Sequence, residues 1–164
     1  TFVKSISNQV DLLATAERLS EEEFINLKLA AVFLFTGYIN DYDKPMEASY
    51  LVIEEILPKY GFDPTNIDEV RRIIKNSFTD NQESLVDHIL HDARYDYLGR
   101  VDFMKLTDKL LREESEYGIS HDRKEWIEIQ RKLLNDHDFF TNTSKLLRSV
   151  AIEDQVAALQ TIND

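Results

Sequence analysis

Cysteine is absent from the 164 residues, which excludes a disulfide framework, thiolate catalysis and cysteine-based zinc or iron–sulfur sites. Glycine and proline are scarce, at four and three residues, too few for a turn-rich β sandwich or barrel. No apolar run approaches the roughly 18 residues that span a bilayer, and no signal peptide is visible. Together these absences predict an all-α protein located in the cytoplasm.

Basic residues are also few: the chain has 19 Lys and Arg against 31 Asp and Glu, which gives a formal net charge of −12. Nucleic acid and anionic membrane surfaces attract Lys and Arg clusters, so we expect neither as a partner. Hydrophobic residues make up 43%, enough for a core and too many for a disordered acidic tail. We expect one domain over residues 1–164. Because the first residue is Thr1 and not methionine, we also expect a short N-terminal segment to precede it.

The spacing of apolar residues and the capping signals predict about eight helices. Ser20 and Glu23 form the pattern of a capping box, and the helix that follows is apolar nearly all round, which is typical of a buried helix. We expect Gly37 to end that helix in a left-handed turn and Gly61 to end the next. Four of the predicted helices cover residues 6–19, 21–35, 46–60 and 102–117. Three more are predicted from their N-terminal caps, at residues 65–68, at residues 80–83 and at Ser120. The last begins at Asn142 or Thr143 and contains Ile152.

One segment is rich in potential metal ligands. His88 and His91 are three residues apart and share a helix face, and Asp92 and Asp96 follow. Imidazole and carboxylate groups together suit a divalent metal such as Mg, Mn or Zn. The alternative is that these four residues lie on a solvated face of an acidic helix. Glycine-rich phosphate loops and Gly-x-Ser-x-Gly elbows are absent.

A set of segments stands in order along nearly the whole chain: LSEE (19–22), AAVFLFTGYI (30–39), EAS (47–49), ILHDARYDYLGRVDF (89–103), Trp126, Gln130, Leu134, His137, FFTNT (139–143) and LLR (146–148). Together these segments resemble the HD-domain metal-dependent phosphohydrolases of bacteria, and in particular the subgroup found alone or appended to signalling modules. The resemblance implies a compact, multi-helix HD-like fold.

The resemblance also implies where metal ligands would stand. In that family an early His, a His-Asp doublet and a later Asp bind divalent metal, which activates water for attack on a phosphoester. In this chain Leu34 and Phe35 occupy the doublet, Arg94 stands at the later Asp, and the early His falls near Phe2. Leu and Phe offer a cation no donor, and the guanidinium of Arg94 repels it. We therefore expect no metal cofactor and no catalysis.

Three functions follow as hypotheses. The first is an inactive regulatory or interaction module that binds a protein partner, or a small anionic ligand through Arg94 and Asp92. In that module Arg94 could instead pair with a carboxylate as a structural tie. The second is a residual phosphohydrolase for nucleotides or phosphomonoesters, with its metal on His88, His91, Asp92 and Asp96. The third is a dimerisation or linker domain. Nothing in the sequence fixes the oligomeric state.

Overall fold

The computed structural model of the chain describes residues 2–41, 44–79, 82–116 and 118–160. Throughout these residues the regular structure is helical and no strand occurs, which confirms the all-α prediction. No helix in these ranges is long and apolar enough to cross a membrane. The chain divides into two compact units, Thr1–Arg94 and Tyr95–Asp164. The interpretation of residues 1–164 as one domain stays a prediction.

The first unit is built around helix α2, which packs against each of the other α-helices of that unit. Its buried residues Leu27, Ala30 and Ala31 lie in the core with Ile6, Val10 and Leu13 of the first helix, as their spacing predicts. The helices of this unit are α1 (Phe2–Ala16), α2 (Glu21–Phe33), α3 (Thr36–Asn40), α4 (Pro45–Ile56), a 3₁₀ turn (Leu57–Tyr60), α5 (Pro64–Ser77) and α6 (Leu85–Arg94).

The second unit begins with a short turn and has a smaller core that contains Phe103, Trp126 and Leu159. Tyr97 stacks on Phe103, with 6.2 Å between ring centroids, and its hydroxyl lies 3.3 Å from the Gln130 side-chain oxygen. Its elements are a 3₁₀ turn (Asp96–Gly99), α7 (Phe103–Glu116), α8 (Arg123–Asp136), α9 (Asn142–Leu147) and α10 (Ile152–Gln160).

Two signals for helix ends are confirmed by the structure. Ser20 begins α2 with a full capping box, since its hydroxyl accepts from the Glu23 amide and the Glu23 carboxylate accepts from the Ser20 amide at 2.9 Å. The Ser20 hydroxyl also donates to the Glu23 carboxylate at 2.6 Å, and this bond, together with the one from the Ser20 amide, lowers the pKa of Glu23. Gly61 follows the turn after α4 with φ of 85°, a conformation that glycine adopts without strain.

The prediction for Gly37 is wrong. Helix α2 ends at Phe33, α3 begins at Thr36, and Gly37 lies inside α3 without a positive φ. Its function is steric, because a Cβ at this position would lie 1.7 Å from the carbonyl oxygen of Pro45. The Gly37 amide donates to the Ser49 hydroxyl at 2.9 Å, and that hydroxyl donates to the Phe33 carbonyl at 3.0 Å. Glycine is therefore needed here for close packing of α3 on α4.

Several predicted helix starts are displaced. Asp63, and not the 65–68 segment, caps α5 by accepting from the Asn66 amide at 3.0 Å. Asp122, and not Ser120, caps α8 in the same way. The last predicted helix is two helices, α9 and α10, separated by residues 148–151. For α6, residues 80 and 81 of the predicted 80–83 cap lie outside the described residues, and Ser84 caps the helix by accepting from the Asp87 amide at 3.3 Å.

Candidate functional site

The two positions of the expected His-Asp doublet join α2 to α3 and carry apolar side chains. Leu34 is 0% exposed and belongs to the core of the first unit. Phe35 is partly buried, and its ring stacks on Tyr38 with centroids 5.8 Å apart. Neither side chain has an oxygen or nitrogen atom to ligate a metal. Phe2, at the early histidine position, lies outside the residues whose side chains are described.

Phe35 and Arg94 belong to one cluster, which we call the aromatic row: Phe35, Tyr38 and Phe78, with Arg94 at its end. The Tyr38 and Phe78 ring centroids are 6.5 Å apart, and the Arg94 guanidinium carbon lies 5.2 Å from the Phe78 centroid. A guanidinium at this distance interacts favourably with the ring face. Two of the positions at which the resemblance implies lost ligands are therefore connected through aromatic contacts.

Arg94 also connects the ends of two helices. It is the last residue of α6, and its Nη1 donates to the carbonyl oxygen of Ser77, the last residue of α5. Carbonyl groups at a helix C-terminus carry partial negative charge, so a cation there is favourable. The sequence left open whether Arg94 binds an anion or pairs with a carboxylate. Its partners include a backbone carbonyl and an aromatic ring, and the choice between anion and carboxylate stays open.

The histidines and acids of the alternative metal site are placed as follows. Asp92 is 1% exposed, and its Oδ1 lies 3.7 Å from Nδ1 of His91. The Nε2 atom of His88 is 3.3 Å from the Gln82 carbonyl oxygen. Asp96 belongs to the second unit. Among the residues that the structure describes, no three His, Asp or Glu side chains are arranged to hold a metal ion.

Asp87 is a buried charged residue that the helical spacing did not single out. The Ser84 hydroxyl and amide donate to its carboxylate at 2.7 and 3.1 Å, Arg72 donates to both of its oxygens at 2.9 and 3.1 Å, and Asn76 donates at 3.2 Å. The Asp87 amide in turn donates to the Ser84 hydroxyl, so these two residues cap α6. Burial opposes ionisation, but the hydrogen bonds outweigh it and the pKa of Asp87 lies below its usual value.

Asp87→Asn should remove a pH-dependent part of the stability. The carboxyl pKa is about 3.9 in the unfolded chain and lower in the folded one, so ionised Asp87 stabilises the fold above about pH 4. That stabilisation is lost as the pH falls through the folded pKa. In urea unfolding near neutral pH we expect a loss of about 3 kcal/mol, the low end of the range for breaking a buried ion pair, because the partly exposed Arg72 side chain can turn to water.

The pH series has a matched control in the same helix pair. Asp68→Asn changes a carboxylate of α5 whose side chain is 77% exposed, and its effect should stay below about 0.5 kcal/mol at every pH. The difference between the wild type and Asp87→Asn should be constant from about pH 5 to 7 and shrink below about pH 4. A difference that persists unchanged in acid contradicts the assignment.

In the second unit, Asp96 is the centre of a buried ion-pair cluster. Arg148 donates to Asp96 Oδ1 from Nε at 2.6 Å and also from Nη2, and Arg100 Nη1 lies 3.4 Å from Oδ2. Arg100 also binds Asp102 at 2.7 and 3.0 Å, and these bonds lower the pKa of Asp102. A Cβ on Gly99 would lie 2.2 Å from that of Arg148, so glycine at this position allows Arg148 to approach.

A cleft of about 200 Å³ lies beside Arg148 within the second unit. Its walls are mainly apolar, and its charged members are Asp138, Lys145 and Arg148. Because Arg148 binds Asp96 directly, little uncompensated positive charge faces this cleft. The cleft residues that the structure brings together are Leu98, Gly99, Leu134, His137, Asp138, Phe139, Lys145, Arg148, Val150, Ile152 and Gln155.

Comparison with family models, with curated proteins and with solved structures finds no match to this chain.

Proposed function

We propose that this chain is a non-catalytic, HD-like helical module that works by binding, as a regulatory or interaction domain of the cytoplasm. The observation that carries the proposal is the chemistry of the expected doublet. Leu34 is fully buried among apolar residues, and Phe35 is stacked on Tyr38. Rotating either side chain would still present no donor atom to a divalent cation.

Arg94 supports the same proposal. It replaces the later carboxylate ligand that the resemblance implies, and it changes the local charge by two units in the unfavourable direction for a cation. Its guanidinium is fixed by the Ser77 carbonyl and the Phe78 ring. A fixed positive charge near an ion site raises the free energy of cation binding.

The high negative charge of the chain bears on the kind of partner. At −12, the protein repels nucleic acid and other polyanions at long range and attracts cations and basic surfaces. We therefore include no nucleic acid among the proposed partners. A signalling role, as in the subgroup that the chain resembles, belongs to the proposal as well.

The second candidate is a metal-dependent phosphohydrolase. The observation in its favour is buried Asp92, whose carboxylate lies 3.7 Å from the imidazole of His91. Imidazole and carboxylate groups both ligate divalent metals, although the structure supplies no third ligand from the described residues.

Metal analysis and a hydrolysis assay distinguish the two candidates. We expect the protein, purified from metal-supplemented cells, to contain far less than one equivalent of divalent metal. We also expect no hydrolysis of nucleotides or p-nitrophenyl phosphate above background with added Mg²⁺, Mn²⁺ or Zn²⁺. Stoichiometric metal with activity lost in His91→Ala and retained in His121→Ala would overturn the proposal. His121 is the matched control, because it too lies beside a carboxylate, 3.1 Å from Glu114 in the second unit.

A second arm of the experiment asks whether Arg94 serves a ligand. Thermal unfolding of the wild type and Arg94→Ala is compared with inorganic phosphate, nucleotides and acetate at equal ionic strength. With Arg94 engaged by Ser77 and Phe78, we expect a lower Tm for the variant and the same anion response in both proteins. Stabilisation of the wild type alone would identify the module as an anion sensor.

A further inference from the structure

A groove between α2 and α5 carries an unsatisfied polar side chain in its wall. Glu22, Asn26 and Asn66 line both of its two hollows, of about 410 and 450 Å³. The Asn66 side-chain amide bridges the groove to Glu22 at 3.5 Å. We call this feature the α2–α5 groove. It lies wholly within the first unit and includes neither the aromatic row nor the doublet positions.

Asn26 is the unusual member of the α2–α5 groove. It stands on the buried face of α2, beside Leu27, and is only 4% exposed. Its Oδ1 atom is buried and accepts no hydrogen bond from any part of the chain that the structure describes. An acceptor left in this state costs free energy. Because Asn26 lines both hollows, a turn of its side-chain amide would bring Oδ1 to a donor in the groove and recover that cost.

Charge in the α2–α5 groove is strongly negative. Four carboxylates line it, and the guanidinium of Arg72 in its wall is already bound by Glu69 at 2.8 Å and by buried Asp87 at 2.9 and 3.1 Å. An anionic ligand would therefore be repelled, and a ligand with N–H donors and positive charge would be attracted. The carboxylates are Glu21, Glu22, Asp68 and Glu69.

The arrangement of charged and apolar side chains in the α2–α5 groove favours an organic cation over a metal ion. A compact metal ion is a poor fit, because both oxygens of Glu69 are engaged by Arg72 and no three acidic or His groups among the described residues converge. One hollow adds the apolar side chains of Ile25 and Phe62. Alternating charged and apolar surface suits a linear ligand whose ammonium groups are separated by methylene segments.

We propose that the α2–α5 groove binds a small linear polyamine. Asn26 Oδ1 and the Glu22 carboxylate accept from its ammonium groups, and Ile25 and Phe62 pack against its methylene carbons. Polyamine binding would give the proposed binding module a ligand, but it does not require the module to be non-catalytic. The metal and hydrolysis assays therefore test the proposed function, and the polyamine measurement tests the groove independently.

Titration calorimetry with spermidine at constant ionic strength tests this proposal on the full chain. We compare the wild type with Glu22→Gln, which removes an exposed charge, and with Asn26→Leu, which removes the buried acceptor at similar volume. The control is Glu128→Gln, the same charge change on α8, where Glu128 binds Arg131 outside the groove. Circular dichroism checks that each variant is folded.

We expect saturable spermidine binding by the wild type and Glu128→Gln, and about fivefold weaker binding by Glu22→Gln and by Asn26→Leu. Heat no greater than that of an equivalent salt titration overturns the proposal. Equal weakening by Glu22→Gln and Glu128→Gln also overturns it, because it indicates diffuse attraction to an acidic protein. Unchanged affinity in folded Asn26→Leu shows that Asn26 Oδ1 does not contact the polyamine, and it rejects the site. If Asn26→Leu does not fold, the comparison of the two Gln variants decides.

Discussion

Asp96→Ala should lower the free energy of unfolding of the second unit by about 3–5 kcal/mol. The reason is that the substitution leaves the arginine partners of Asp96 without its negative charge. The Arg148 side chain is only 13% exposed and has Asp96 as its carboxylate partner, so truncation leaves a guanidinium buried without its counter-charge. Urea unfolding followed by circular dichroism measures the effect.

Asp102→Ala is the matched control for this prediction. Asp102 also binds an arginine, Arg100, but its side chain is 38% exposed and its loss can be compensated by water. The expected cost is about 1 kcal/mol or less. If the two variants differ by less than about 1 kcal/mol, the buried cluster around Asp96 does not stabilise the unit as described.

Gly37→Ala should destabilise the first unit by about 3 kcal/mol, although it adds a single methyl group. That methyl would lie 1.7 Å from the Pro45 carbonyl oxygen and 2.7 Å from the Ser49 hydroxyl. Because the nearer obstacle is backbone, α3 and α4 must separate, and this weakens the hydrogen bond from the Gly37 amide to Ser49. Thermal and urea unfolding report the loss.

Gly61→Ala separates steric crowding from backbone strain. Gly61 has φ of 85°, but no atom of the described residues lies within 4 Å of the place that a methyl group would take. Alanine there therefore meets strain alone, at about 1–2 kcal/mol. The double variant Gly37→Ala with Ser49→Ala should not recover stability, since Pro45 remains in the way. A milder effect at Gly37 than at Gly61, or full rescue by Ser49→Ala, would contradict the close-packing explanation.

The helical class and the core of the first unit could be predicted because they depend on local rules. The capping box at Ser20 and the left-handed glycine at Gly61 are determined by residues within one turn. Gly37 could not be interpreted in this way, because a glycine before a polar stretch has the same pattern whether it supplies a positive φ or close contact. Only the position of α4 distinguishes the two.

The burial and contacts of the candidate-site residues could be predicted from the sequence for some residues and not for others. Burial of Leu34 follows from its apolar neighbours in α2. The contact of Arg94 with Ser77 depends on how α5 and α6 pack, which no short pattern contains. Asp87 could have been found, since Ser84 and Asp87 have the three-residue spacing of a capping box. The pairing of Asp96 with Arg148 joins residues 52 positions apart and has no local signal.

That long-range pair has a consequence for biosynthesis. Asp96 stands at the start of the second unit, whereas Arg148 and Gln155, which donates to the Arg100 carbonyl at 3.0 Å, stand near its end. During translation, Asp96 is synthesised long before Arg148, and the Arg100 carbonyl long before Gln155. The ion pair of Asp96 with Arg148 must therefore wait for about fifty further residues, which at about 5–20 residues per second takes several seconds. In that interval Asp96 remains hydrated, and the unit closes only when its last two helices arrive.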